Sequence, residues 1–565
     1  MDLERVKETG IWTLYQQCVD YCRQMGIFGD TDKNYRMYNG DQWEGLKISG
    51  VEKVQYNFIK PIVRYKTAIV LNNHYGINFS SENFESREYV KAAGKVCELL
   101  NKKSARIWEK DYMDLKLRLL VKDAAINDEG VVYVTYSEET GLPTNEILNK
   151  TDVFYGNENS MDIQTQPYIL VKQRMSVIEA RLLAEMNGVS GEELLMIMGD
   201  NDNMEEAGES AKYEKDEMCT VVTKLYKEKG KVFFEQATRR VVIKKKTNSG
   251  LSRYPISHLV WEEKKGSARG EGEVRQLIPN QIETNKTAMR RALTIKNTAY
   301  PTKVVNEEMV KNPNAIDKVG TTIKIKGGQS VEDVNKVVGY LRPSQMSTDS
   351  EKIQNELIQS TRELAGAGDI ATGQINPENA SGRAVLAVQK ASEEPLTEHL
   401  DLTKNCIEEL ARIWLDMIIA YNKQIQLEET VTDSATGEEF IRPMIVGRDV
   451  LISLKATVKV DITPKGAFDK YAQEQSLENL LKAGYFSAER MPELKLYIKT
   501  LDDDAVMPKQ KLVKMVEEWE AEQKKIQMLQ MQAQLMKNQM QQYFGRMEVD
   551  AQQQMARPPV MMQGM

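Results

Sequence analysis

"GAGDIATGQINPENASGRAV", residues 366–385, is rich in glycine, asparagine and serine and has almost no bulky apolar anchor, yet long helical patterns flank it on both sides. Upstream, Ser344 to Leu364 places Ile353, Leu357 and Leu364 at offsets 0, 4 and 11, on one helical face. Before that, residues 271–297 place Ile278, Ile282, Met289 and Leu293 at offsets 0, 4, 11 and 15, with Pro279 limiting or kinking the beginning. Each rod of about 22 to 26 residues reaches roughly 33 to 39 Å at 1.5 Å per residue. Between them an insert at 299–342 carries the short strand-like pieces "TKVV" and "TTIKIKG" around a Pro/Asn turn. Two rods with a small tip predict a stalk. Beyond the polar stretch another long helix is expected over 382–424, interrupted by Pro395.

Working outward, residues 5–25 read as a helix, followed by the aromatic cluster "NYRMYNGDQW" with Tyr35, Tyr38 and Trp43 and an Asn-Gly turn. "YNFIKPIVRYKTAIVL" (56–71) is helical, with Pro61 in an early turn where a missing N–H does least harm. A helix-rich span over 86–127 stops at "NDEG". The period then changes to strand alternation at "GVVYVTYS" (130–137), "YILVKQRM" (168–175) and 218–246, where Lys229-Gly230 marks a hairpin turn. The acidic insert at 200–217 reads as a solvated loop, and "ISHLVWE" (256–262) closes the α+β region. Far downstream, "EEFIRPMIVG" and "LISLKATVKVDIT" read as a β pair, and the chain is almost wholly helical from 467. There Leu512, Met515, Trp519, Ile526, Leu529, Ala533, Met536, Met540 and Tyr543 fit a heptad seam broken at Glu522. The final "ARPPVMMQGM" reads as disordered.

A chain of 565 residues exceeds what one core serves, so several domains are expected. Hydrophobic content of 41%, charge of 28% and mean hydropathy of −0.50 describe cores under a large polar surface. A net charge of −7 and a pI near 5.6 give no general attraction to phosphate or anionic lipid. No apolar run approaches the roughly 20 residues of a membrane span, and "MDLERVKETGIW" lacks a signal-peptide pattern, so assembly in a cytosol is expected. Five cysteines, an odd number, argue against a disulfide framework; Cys18 and Cys22, one turn apart, are either ordinary helical thiols or half a metal site.

Chemistry-bearing motifs are sparse. "GSARGEGEVR" lacks the Walker pattern and the third glycine of a dinucleotide fingerprint, leaving a hinge into the first rod or a degenerate phosphate loop. No G-x-S-x-G occurs, and pairs such as Asp502 and Asp503 read as solvated turns. No catalytic residue, cofactor or metal ligand is therefore assigned. "TRRVVIKKK" (238–246) is an exposed β face or a nucleic-acid or partner contact. Arg290 and Arg291, on the polar side of the first rod, meet phosphate if that side lines a channel, or form salt bridges if it does not.

The order of these parts resembles the portal proteins of tailed double-stranded DNA bacteriophages, over roughly residues 30–470. It is carried by "YRMYNGDQW", "NFIKPIVRYKTAIVLNN", "DAAINDEGVVYVTY", "TDVFYGNENSMDIQTQPYILVKQRMS", "GEGEVRQLIPNQIETNK" and "NPENASGRAVLAVQKASEEPL". The resemblance implies an α+β, mostly helical, elongated multidomain fold of wing, stem, clip and crown that assembles into a ring. Its expected parts are N-terminal helices and wing (1–265), first stem helix (266–298), clip (299–342) and second stem helix (343–365). Then follow tunnel loop (366–382), long wing helix and β pair (383–466), helical crown with a C-terminal barrel helix (467–548) and disordered tail (549–565).

It further implies a non-enzymatic channel of about twelve copies at one capsid vertex, assembled in host cytoplasm. The channel passes double-stranded DNA, nucleates head assembly and docks the terminase large subunit, then a head-tail adaptor, beside major capsid and scaffolding proteins and with no membrane. On this reading Gly366, Gly368, Thr372, Gly373, Gln374, Asn376, Asn379 and Ser381 face DNA from the tunnel loop. Lys286, Arg290 and Arg291 line the stem channel or an intersubunit contact, and Asn312, Asn314, Lys324 and Lys326 dock partners at the clip. Trp519, Ile526, Leu529, Met536 and Met540 pack crown helices. A loop of Gly, Asn, Gln, Thr and Ser suits a sliding duplex, because each phosphate neutralised by Lys or Arg adds affinity that resists movement. The competing expectation is a coiled-coil scaffold that oligomerises through its tail without handling DNA.

Overall fold

The computed structural model describes residues 7–43, 53–81, 87–200, 217–299, 303–306, 308–316, 318, 322, 324–326, 338–340, 349–367, 394–422, 424–432, 439–454, 456–464, 525–526 and 528–537. The chain divides into two compact units, Met1–Thr463 and Pro464–Met565. In the first, α1 (Gly10–Gln24) and α2 (Ile27–Asn39) lead to α3 (Ile59–Leu71), β1 (Asn73–Ser81), α4 (Arg87–Lys110) and α5 (Met113–Asn127). Next come β2 (Glu129–Ser137), β3 (Leu142–Leu148), β4 (Val153–Tyr155), β5 (Tyr168–Ser176), α6 (Val177–Met186) and α7 (Glu192–Leu195). Strands β6 (Met218–Glu228), β7 (Lys231–Ala237), β8 (Val242–Asn248) and β9 (Ile256–Val260) precede α8 (Glu273–Ala299). The strands β10 (Lys303–Val305) and β11 (Val338–Tyr340) are followed by α9 (Asp349–Leu364), α10 (Thr397–Tyr421), β12 (Gln424–Thr432), β13 (Glu439–Gly447), α11 (Arg448–Leu454) and β14 (Ala456–Pro464).

The α+β character follows from the change of period at Asp128. Helix α5 ends there because Asp128 takes φ +78, which turns the chain out of the helix, and β2 begins at once. Strand β2 is the centre of an antiparallel sheet of order β3-β2-β9. A five-stranded antiparallel sheet, β4-β5-β6-β7-β8, lies beside it in sequence. Its β6–β7 turn is the expected one: Lys229 and Gly230 both have positive φ, 48° and 75°, as a two-residue hairpin matching strand twist requires. Both faces of this sheet are covered, so β5 reads as a continuous apolar run. Leu170 and Val222 meet Trp12, Tyr15, Val19 and Cys22 of α1, while Ile169 and Val171 join the main core. Thr9 caps α1 by accepting from Trp12 N at 3.3 Å.

Several elements differ from expectation. The two downstream strands do not pair with each other: β13 pairs with β12, and β14 pairs with β1, which sequence reading missed. The piece "LISL" between them is helical, in α11. "NHYGINFSS" has too little apolar alternation to announce a strand; its edge is supplied by β14, 375 or more residues away, a pairing no local pattern reports. Asp200, expected in a solvated loop, instead accepts from Arg174 and from Thr220 N at 2.7 Å, and the rest of that insert, 201–216, lies outside the described residues. In the second unit, residues 525–526 and 528–537 are helical.

Candidate functional site

The stem pattern folds as a hairpin of α8 and α9. The two run antiparallel, since Asn280 Nδ2 donates to Thr361 Oγ1 at 3.0 Å near one end and Arg291 Nη1 to Gln354 Oε1 at 3.0 Å further along. Helix α8 continues through Pro279. Its buried face is Leu277, Ile278, Gln281, Thr284, Asn285 and Ala288, whereas Leu293 at the far end of the expected stripe is exposed. The reason is a polar bracket. Gln281 Oε1 accepts from Phe58 N at 3.1 Å and its Nε2 donates to Tyr56 O at 2.6 Å. Asn285 Oδ1 accepts from Tyr56 N at 3.2 Å, and its Nδ2 donates to Gln42 Oε1 at 2.6 Å. Buried amides that satisfy backbone this fully fix one geometry at little net cost. The signal was present as Gln281, Thr284, Asn285 and Ala288 at helical spacing, but an apolar-stripe search passes over it.

Below the hairpin lies a buried ionic cluster that sequence reading also missed. Glu129, fully buried on β2, accepts from Arg269 and from His258 Nε2 at 2.7 Å, and Tyr155 Oη donates to it at 3.2 Å. Arg269 also binds Glu158 at 3.0 Å and donates to Val153 O at 3.0 Å. Burial pushes the Glu129 carboxyl up, but the Arg269 guanidinium and the His258 hydrogen bond outweigh it and hold it at about 2. Lys150 pairs with Asp128 at 2.6 Å, and Asp128 Oδ1 accepts from Gly272 N at 2.9 Å. The glycines of "GSARGEGEVR" are therefore close-approach residues. A Cβ on Gly270 would stand 2.6 Å from Glu262 O and 3.0 Å from Asp128 O, and one on Gly272 2.8 Å from Asp128 N. Their backbone is pressed against protein, which favours the hinge reading of this motif.

The first turn of α8 is tied in too: Glu273 accepts from Lys66 Nζ at 2.7 Å. Nearby, Trp261 meets the His399 ring edge-on at 4.2 Å. Burial, then Lys66, lowers the His399 pKa to about 4. The unfolded chain, with an ordinary imidazole near 6.5, thus binds more protons than the folded one between pH 6.5 and 4. Stability is expected to fall as pH drops through that window, by about 1–2 kcal/mol once solvent screening is allowed for. Urea titrations at pH 7.5 and pH 5 measure this, and His399→Phe is expected to shrink the difference.

Gly366 closes α9 at φ +69: Gly366 N donates to Glu363 O at 3.0 Å and Ala367 N to Arg362 O at 2.8 Å, a Schellman ending. Gly368, Thr372, Gly373, Gln374, Asn376, Asn379 and Ser381 lie outside the described residues. Lys286 and Arg290 are exposed and share Glu283, at 3.6 and 3.3 Å. Arg291 does not share their face; it turns toward α9, to Gln354 and to Glu351 at 3.6 Å. At the tip, β10 and β11 pair antiparallel. Asn312 is engaged in the tip's own backbone, donating to Thr322 O at 2.9 Å and accepting from Lys324 N at 2.7 Å, while Asn314, Lys324 and Lys326 are exposed. Ile526, Leu529 and Met536 are exposed on their helix, and Trp519 and Met540 lie outside the described residues.

In the basic stretch, Lys244 and Lys246 lie over Phe234 and Phe233 at 4.8 Å each, so part of its charge sits on aromatic faces of its own sheet. Cys18 and Cys22 are free, with burial pushing Cys22 up to about 11, and among the described residues no three His, Cys, Asp or Glu side chains gather as a metal would require. No described helix is long and apolar enough to cross a membrane.

The first unit is thus an α+β body in which buried charges root a helical hairpin that carries a small β pair between its two helices. The chain belongs to the phage P22-like portal protein family, whose model matches residues 15–564. That family comprises structural, non-enzymatic components of the capsid vertex. No curated protein matches the chain.

Proposed function

We propose that copies of this chain close into a ring at one capsid vertex, enclosing a conduit through which double-stranded DNA enters during packaging and leaves during ejection. The reading extends to nucleation of head assembly and to docking of the terminase large subunit and later a head-tail adaptor at the tip around Asn314, Lys324 and Lys326. ATP hydrolysis belongs to the terminase. The observation that carries the proposal is the hairpin itself. Its root is held by a satisfied polar bracket and a buried ionic cluster, yet Leu293 and Ile295 of α8 and Ile353 and Leu364 of α9 stand exposed. A rigidly rooted hairpin with unburied apolar residues is completed by neighbours around an axis. Shared pairing of Lys286 and Arg290 with Glu283 tempers their pull on phosphate, which suits a duplex that must slide.

A second reading, a coiled-coil scaffold that does not handle DNA, is favoured by exposed Ile526, Leu529 and Met536. Ending the chain after about residue 505 separates the two. The portal reading expects rings to persist in sedimentation and end-on images; the scaffold reading expects assembly to vanish. Turnover by the purified ring in ATPase or nuclease assays would argue against both.

A further inference from the structure

Two helices of the first unit each carry an exposed apolar row with its own charged border. Helix α6 buries Val177, Ala180 and Ala184 against Cys219, Val221 and Ile243, so its inward face is already satisfied. Its outward face nevertheless sets Ile178, Leu182 and Met186 four residues apart, 71%, 55% and 85% exposed, and Leu195 of the adjoining α7 is exposed as well. Glu179, Glu185, Glu192 and Glu193 border it, while Arg181 is turned aside to donate to Ile197 O at 2.8 Å. The patch is apolar with an acidic rim.

Helix α5 likewise buries Met113, Leu117, Leu120 and Val121 and exposes Leu115 and Leu119, four residues apart, with exposed Tyr112 at its N-cap. Tyr112 holds φ +52, a left-handed conformation that a bulky residue rarely keeps. Around this row the exposed cations Arg106, Lys110 and Arg118 outnumber the acids Glu109 and Asp114. This patch is apolar with a basic rim.

Resting on the portal reading above, we infer that α6 of one copy docks on α5 of the next, making the body-to-body junction of the ring. Neither patch suits itself: α6 against α6 sets glutamates against glutamates, and a two-fold contact would stop at a dimer. Pairing α6 with α5 buries both rows, brings opposite rims together and is head-to-tail, the kind of contact that closes a ring. Exposed rows of this size on a lone chain are otherwise a hydration cost without return.

The test uses the full chain in sedimentation velocity. Leu182→Asp and Leu119→Asp, at positions more than half exposed, are expected to melt with the parent but to lower the ring fraction at least about tenfold. Mixed one to one, they are expected to give a discrete pair that neither forms alone, because each supplies the patch the other lacks. As a second line, Glu185→Lys and Arg118→Glu should each weaken assembly, and together restore it. Rings undisturbed by either aspartate variant, or a mixture that stays two separate species, would overturn the junction while leaving the portal reading intact. A parent chain that sediments as a monomer would instead sink that reading, and this junction with it.

Discussion

Arg269→Met is expected to lower stability by about 3–5 kcal/mol at pH 7, the range found when one partner of a buried ion pair is removed. Glu129 is fully buried and Glu158 partly so; without the guanidinium, the first keeps only His258 and Tyr155, and the second loses both of its hydrogen bonds from Arg269. The Glu129 carboxyl, held at about 2 by that guanidinium, would rise and take up a proton as the protein adjusts. Adding Glu129→Gln to Arg269→Met removes the stranded charge, so the double variant should recover part of the loss. Urea denaturation of the four chains of this cycle gives the coupling directly. A loss below about 1 kcal/mol for the single variant would mean the cluster contributes little to rooting α8.

Trp414→Ala is expected to be comparably severe, about 3–5 kcal/mol. Trp414 is 1% exposed and meets Trp108 of α4 edge-on at 6.5 Å. Its Nε1 donates to Asn145 Oδ1 at 2.9 Å, and Asn145 is itself held by Asp111 through its backbone N at 2.8 Å and its Nδ2 at 2.6 Å. One side chain thus joins α10 to β3 and α4. Trp414→Phe should keep most of the packing and lose only the hydrogen bond, about 1–2 kcal/mol. Equal losses for the two variants would show that the hydrogen bond, and not the ring's volume, is what α10 depends on.

Much of the fold was legible because local pattern and tertiary role agree. The stop at Asp128, the turn at Lys229-Gly230 and the long helix α8 each follow from a few adjacent residues. The pairing of β1 with β14 was not legible, since it joins segments far apart along the chain and neither strand alternates cleanly. The same holds for the anchor of the hairpin. Glu129, His258 and Arg269 are separated by more than a hundred residues in two of their pairings and look in sequence like ordinary surface charges. Gln281 and Asn285 were hidden for the opposite reason: they sit side by side on one helix face, but polar residues are expected outside, and here they replace the apolar stripe. Of the apolar residues that sequence reading placed on the stem face, Ile278 is buried at the root, whereas Leu293, Ile353 and Leu364 are left exposed in one chain.

End-on electron microscopy of the purified full-length protein tests the central claim most directly. The account predicts rings of about a dozen subunits around an open axial hole wide enough for a duplex. A field of single particles that stay monomeric at high concentration, or closed assemblies without an axial opening, would contradict it.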